Sequence, residues 1–201
     1  MICVDTIPAG PLGANCYVLS LPGRNDCVVV DPGGEEVAKA LCASGRKPDV
    51  IIATHGHFDH IGGVDALCGI DVPFYIGSGD RDFPGNDLWN ASSSFGEALH
   101  IQTVASLLSD GDTFTAAGIR FTALETPGHT PGSICLRAED LLFTGDTLFA
   151  RGFGRTDLPL GSAADLRRSL RRLLRDLEGD YIVYPGHGDK TTLETERQYY
   201  R

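Results

Sequence analysis

The 201-residue chain contains no run of eighteen apolar residues, and so no candidate for a membrane-spanning helix. Its opening stretch, MICVDTIPAGPLGANCYVLS, lacks the basic segment and apolar core of a secretory signal. These two absences make the cytoplasm the expected location, with no membrane partner. No CxxC spacing occurs among Cys3, Cys16, Cys27, Cys42, Cys68 and Cys135. A chain of this length needs no disulfide staples, so buried free thiols without a role are expected. Excess positive charge is also missing: the formal net charge of −10 disfavours a nucleic-acid backbone as partner, because such binding relies on Lys and Arg releasing counterions. Repeats, low-complexity tracts and linkers are absent too, and a hydrophobic fraction of 42% is ordinary for a folded protein. One domain over residues 1–201 is the expectation.

What is present reads as a layered α/β chain. CYVLSL, CVVVDPGG and DVIIATHGH are short, β-branched apolar runs that stop at Gly, Pro or Asp, as strands ending in turns do. EEVAKALCASG between the second and third predicts a helix closed by Gly45. DTFTAAGIRFTALETPGH and SICLRAEDLLFTGDTLF each hold two strand-forming runs joined by a small turn, which predicts hairpins and hence sheets of mixed direction. Leu166, Leu170, Leu173, Leu174 and Leu177 share one helix face. That helix is expected to open at a capping box of Ser162 with Asp165 and to close at Gly179, leaving Arg167, Arg168, Arg171, Arg172 and Arg175 on a solvated face. Residues 77–100, rich in Gly, Ser, Asp and Asn, predict a long loop near whatever the protein binds.

The chemistry concentrates in the histidines. THGHFDH (54–60) packs three histidines and an aspartate together, and a core gains nothing from such crowding unless the groups ligate a divalent ion. THGH follows the VIIA strand, TPGH (126–129) follows FTALE, and PGH (185–187) follows YIVY; TGD, ending at Asp146, has the same form after LLF. Four strand-end turns therefore supply His55, His57, Asp59, His60, His129, Asp146 and His187. Seven donors exceed what one zinc ion takes, whereas two ions with three terminal ligands each and one bridging carboxylate would use them all. His100 fits no such pattern and reads as an ordinary loop histidine.

HxHxDH, the lone His of TPGH, the Asp of TGDT and the final His of PGH together resemble the metallo-β-lactamase superfamily, over nearly the whole chain from NCY to PGHG. The resemblance implies a four-layer αββα sandwich of two mixed sheets flanked by helices. It implies that His55, His57 and His129 hold a first metal, and Asp59, His60 and His187 a second, with Asp146 between them. Asp59 and Asp146 would be the carboxylates nearest the chemistry, and the expected cofactor is two divalent ions, zinc first, with iron or manganese as alternatives. Asp31 in VVVDPGG matches a family support position, with a plain turn aspartate as the other reading.

TGDTLF followed by GRTDLPLGS is most similar to the short glyoxalase II-like subgroup, the hydroxyacylglutathione hydrolase-like proteins. Their larger members carry a C-terminal helical extension that helps hold glutathione, which nothing after PGHG matches. By that likeness Arg155 would contact the substrate; an ion pair with Asp157, which replaces the family's aromatic residue, is its alternative role. Class B β-lactamases usually place a cysteine where Asp146 stands, which disfavours an antibiotic substrate. The expected activity is hydrolysis of a small-molecule thioester such as S-lactoylglutathione by a hydroxide bridging two metals. A thiolate leaves with little help, whereas an amine needs a placed general acid, and no motif residue is spare for that task. The main alternative is a persulfide dioxygenase with one iron on two histidines and a carboxylate. A phosphodiesterase, a lactonase and a non-enzymatic metal-binding protein fit less well, and oligomeric state is left open.

Overall fold

The computed structural model of the chain describes residues 1–67 and 72–200. In chain order the strands are β1 (Cys3–Ala9), β2 (Ala14–Ser20), β3 (Asp26–Val30), β4 (Lys47–Ile52), β5 (Phe74–Gly77), β6 (Ala105–Leu108), β7 (Thr113–Ala116), β8 (Ile119–Glu125), β9 (Ile134–Ala138), β10 (Leu141–Gly145), β11 (Leu148–Phe149), β12 (Gly152–Phe153), β13 (Ile182–Pro185) and β14 (Thr191–Thr192). The helices are α1 (Glu36–Ser44), α2 (Phe58–Ile61), α3 (Val64–Leu67), α4 (Ser92–Phe95), α5 (Ala163–Arg171) and α6 (Leu193–Tyr199).

The strands form two six-stranded sheets, β1-β2-β3-β4-β5-β6 and β14-β13-β10-β9-β8-β7, and β11-β12 form a separate small ribbon. Both sheets are mixed, as expected: β3, β4, β5 and β6 run parallel while β1 and β2 are antiparallel, and β10 and β13 pair in parallel within an otherwise antiparallel second sheet. Both predicted hairpins form, β7 with β8 and β9 with β10.

Alternation along the strands builds the layers. Val28, Val30, Val50 and Ile52 point between the sheets against Phe121 and Phe143, while Val29 and Ile51 point outward to Val37 and Leu41 of α1 and Val64 of α3. Such continuous apolar runs have both faces covered, which places helices outside the sheets. Across the molecule, Leu142 and Val183 meet Leu173 and Leu193 in a third cluster. The architecture is α/β, two mixed sheets flanked by helices.

Three local expectations change. Ser162 does accept a hydrogen bond from the Asp165 amide, and the leucine face is covered, but α5 ends at Arg171, a π-helical turn covers Arg172–Asp176, and the chain extends at Leu177 before it reaches Gly179. Arg197 of α6 holds this end: its guanidinium donates to the carbonyls of Leu174, Leu177 and Gly179, satisfying groups that a continued helix would have paired within itself. Arg172 is only partly exposed, unlike Arg167, Arg168, Arg171 and Arg175; it forks onto Asp110 at 2.6 and 3.1 Å and donates to the Glu125 carbonyl. The described cysteines are free, but only Cys16, Cys27 and Cys135 are buried, Cys3 and Cys42 being exposed; Cys68 lies outside the described residues.

No helix among the described residues is long and apolar enough to cross a membrane. Leu173, within the π turn, is completely buried. Leu173→Ala should therefore cost about 2–5 kcal/mol through the cavity it leaves, read as a lowered midpoint in denaturant unfolding.

Candidate metal centre

Strands β8, β10 and β13 run in one direction, so the turns after them emerge at one edge of the second sheet. The turn after β4 is tied to that edge by the Ile134 amide, which donates to the Thr54 carbonyl at 2.8 Å. Thus the four turns meet. Three groups of ligand-type side chains result, each with donor atoms within 4.8 Å of one another: His55–His57–His129, His55–His60–Asp146 and Asp59–His60–His187. All seven side chains singled out in the sequence are brought together. His100 is not among them; it is exposed beside the Gly85 carbonyl.

Close approach demands glycine at the edge. Any Cβ at Gly186 would collide with Asp146 Oδ1 and reach within 2.7 Å of His60 Cε1, so the PGH turn fits only without a side chain there. Asn15 and Tyr17 of β2 hold this turn from outside: Asn15 Nδ2 donates to the carbonyls of Pro185 and Gly188, and the Tyr17 hydroxyl to that of Pro185 at 2.6 Å.

The hydrogen bonds around the cluster set the imidazole tautomers. Asp31, at φ 55° in the left-handed region, accepts the Thr54 amide at 2.6 Å and the Thr54 hydroxyl at 2.7 Å. Because that hydroxyl proton is committed to Asp31, Thr54 Oγ1 is left to accept from His55 Nδ1 at 3.2 Å, and the lone pair of His55 falls on Nε2. His129 Nδ1 donates to the Arg155 carbonyl at 2.7 Å, which likewise leaves Nε2 bare. His60 Nδ1 comes within 3.0 Å of Asp31 Oδ2; it is off the line of an aligned hydrogen bond, but the approach favours the proton on that nitrogen. Imidazoles oriented this way from behind are the usual arrangement at metal sites. Asp31 takes the support role expected of it.

Asp80 and Thr54 were not picked out by sequence. Asp80 is fully buried and accepts from the Gly56 amide, the Thr130 hydroxyl and the Gly132 amide, which braces the THGH turn against TPGHTPG. Burial raises its carboxyl to about 6 despite these bonds. Only its place shortly after β5 hinted at it. The surrounding 77–100 segment is correspondingly less loose than expected: Phe83 is buried against His57, and Asn90 accepts the Phe58 amide through its carbonyl.

Charge divides the cluster. Burial, reinforced by neighbouring imidazoles, keeps His55 neutral and pushes His57 down to about 3, and burial lowers His129 as well. On the other side burial also opposes a charge on His60, but Asp59, Asp31 and Asp146 outweigh it and raise it to about 10. Burial of Asp59 is overcome in the same way by His60 and His187, which hold it well below the ordinary carboxylate range, and the hydrogen bond to Asp59 raises His187. Asp146 lies between the halves, with Oδ1 3.5 Å from His60 Nε2 and Oδ2 3.4 Å from His129 Nε2.

A divalent cation fits this donor set. Buried His55 Nε2 and Asp146 Oδ1 have no hydrogen-bond partner, which is costly for acceptors unless something electropositive meets them. His57 Nδ1 and His129 Nε2 face each other at 2.9 Å, an arrangement that suits a shared cation.

Such a His/Asp cluster, carried on turns at the edge of two face-packed mixed sheets, defines a metal-binding protein of the metallo-hydrolase class. The chain belongs to the metallo-beta-lactamase superfamily, whose family model matches residues 9–187. It is 36% identical over 199 residues to an uncharacterized protein of Aquifex aeolicus, covering 98% of this chain and 94% of that one. To the hydroxyacylglutathione hydrolase GloC of Haemophilus influenzae it is 33% identical, covering 97% and 95%. Among solved structures it resembles the BLEG-1 B3 metallo-beta-lactamase (TM-score 0.90, 35% identity, 98% and 97% covered) and TTHA1623 in a di-iron-bound form (TM-score 0.84, 34% identity, 97% and 98% covered). ETHE1 from Myxococcus xanthus, at 24% identity and TM-score 0.76 with 98% and 82% covered, shares the fold.

Two outcomes follow from the geometry. Asp31→Ala, which unlocks Thr54 and His60, should lower zinc affinity about 10- to 100-fold in a competition titration. In the metal-free protein His60 keeps its proton through neutral pH, so a cation entering beside Asp59 and His187 must displace it, whereas His55 and His57 hold no proton to lose. Calorimetric zinc titrations in buffers of different ionisation enthalpy should show more than one proton released for the Asp59–His60–His187 group at pH 7, since His187 is raised as well, with affinity there rising as pH rises.

Proposed function

We propose that the protein is a dinuclear-metal hydrolase of small thioesters, with S-lactoylglutathione as the representative substrate. The observation that carries this reading is the position of Asp146, whose two oxygens face histidines of both halves of the cluster, as a shared carboxylate between two ions would. His55, His57 and His129 would hold one ion and Asp59, His60 and His187 the other. When bound, such a pair lowers the pKa of water to about 7 and polarises a carbonyl.

The chain's own residues do the rest. Thr54 and the Arg155 carbonyl orient His55 and His129 from behind, and Asp31 does the same for His60. Asp59 is kept ionised by His60 and His187, as a carboxylate that is to meet a cation must be. The seven side chains are occupied with one another, which leaves no dedicated general acid, and a thiolate leaving group with a pKa of about 8.5 needs none. The relatedness to a protein named hydroxyacylglutathione hydrolase supports the same substrate class.

A second reading rests on the BLEG-1 likeness: hydrolysis of a β-lactam ring by the same cluster. A mononuclear-iron persulfide dioxygenase, built on two of these histidines and one carboxylate, is a third. Elemental analysis of purified protein, with parallel assays on S-lactoylglutathione, a cephalosporin and glutathione persulfide, separates them. We expect two ions per chain and thioester turnover. Cephalosporin turnover without thioester cleavage, or a single iron with oxygen uptake, would overturn the proposal. His57→Ala and Asp146→Ala should each lower kcat/KM by more than about 100-fold, exceeding the effect of losing a supporting partner, while leaving the circular dichroism spectrum unchanged.

A further inference from the structure

Arg155 is bound to the candidate centre through its backbone, not its side chain. Its carbonyl accepts from His129 Nδ1, and a Cβ on the preceding Gly154 would collide with the Asp146 carbonyl and lie 3.1 Å from His129 Nδ1, so the chain here presses directly on the cluster. The side chain that this carbonyl anchors beside His129 is exposed. The guanidinium is paired: Nε and Nη2 meet Asp157 Oδ1 and Oδ2 at 2.6 and 2.7 Å, a fork-on-fork pair that takes one edge of it and offsets its charge. Both side chains are mostly exposed, at 54% and 67%, so the pair contributes little to stability and separates readily.

We propose that Asp157 is a specificity-determining residue: by occupying Arg155 it suppresses selection for carboxylate-bearing thiol carriers and leaves the site tolerant of neutral ones. This deepens the proposed thioester hydrolysis and rests on it. An incoming carboxylate meets the opposing charge of Asp157 beside the guanidinium, and it arrives at a protein whose net charge is already −10. A neutral carrier meets neither obstacle. Asp157 touches no substrate in this scheme; it acts through Arg155.

The test compares S-lactoylglutathione, which carries two carboxylates on its carrier, with the neutral thioester S-lactoyl-N-acetylcysteamine, at low ionic strength where exposed charges count most. In Asp157→Asn the kcat/KM ratio of the glutathione over the neutral substrate should rise about fivefold, through KM and not kcat. Asp157→Glu, which restores a carboxylate, should return most of it. The double variant Asp157→Asn/Arg155→Gln should erase the gain, and added salt should shrink it. An unchanged ratio in Asp157→Asn, or a rise that persists without the arginine, would overturn the proposal. If wild type cleaves neither thioester, the hydrolase reading fails. The masking is then judged by calorimetric binding of S-methylglutathione, which should tighten by the same factor in the zinc-loaded Asp157→Asn protein; no tightening refutes it. Thermal unfolding of each variant checks that the fold is retained.

Discussion

A single buried carboxylate, Asp31, fixes the working edge of this molecule. One of its oxygens takes the Thr54 amide and the other takes the Thr54 hydroxyl while lying against His60, so one group orients the start of the THGHFDH turn and an imidazole within it. The Thr54 hydroxyl, once committed as donor, dictates which nitrogen of His55 stays bare. A left-handed backbone for a residue other than glycine costs of order 1 kcal/mol, and Asp31 adopts it, as aspartate tolerates best, because only that bend turns its carboxylate back under the turn.

The cluster stays folded because its charges are segregated. Five imidazoles and two carboxylates within a few ångströms would repel or desolvate one another if they were evenly charged. Burial keeps the His55–His57 side neutral, while His60 and His187 gather beside Asp59 and share its charge. Asp146 spans the division. The same neutrality leaves lone pairs unpaired on buried nitrogens, a cost repaid only when a cation meets them.

Around this edge the supporting elements act through backbone contacts more than through side-chain chemistry. Asp80 braces two histidine turns by accepting amides of Gly56 and Gly132, Asn15 and Tyr17 grip the carbonyls behind His187, and Arg155 steadies His129 with its carbonyl while its side chain engages Asp157. Relatives that differ in substrate can therefore retain one frame and vary the side chains at the mouth.

The seven clustered residues, the hairpins, α1 with its left-handed Gly45 cap, and the layered α/β order were legible in the sequence, because each is written in local signals: strand alternation, turn residues, and metal-type donors placed just after strands. Tertiary structure alone decided the rest. Arg197, twenty residues further along the chain, holds the carbonyl of Leu177 past the end of the leucine helix, Arg172 reaches across to Asp110, and Asp80 turns an apparently loose segment into a brace. The tautomers of His55 and His129, and the division of charge between His57 and His60, were likewise invisible beforehand. Each depends on a partner distant in sequence and on burial, and neither a hydrogen bond across the fold nor the loss of water around a group leaves a periodic trace in the order of residues.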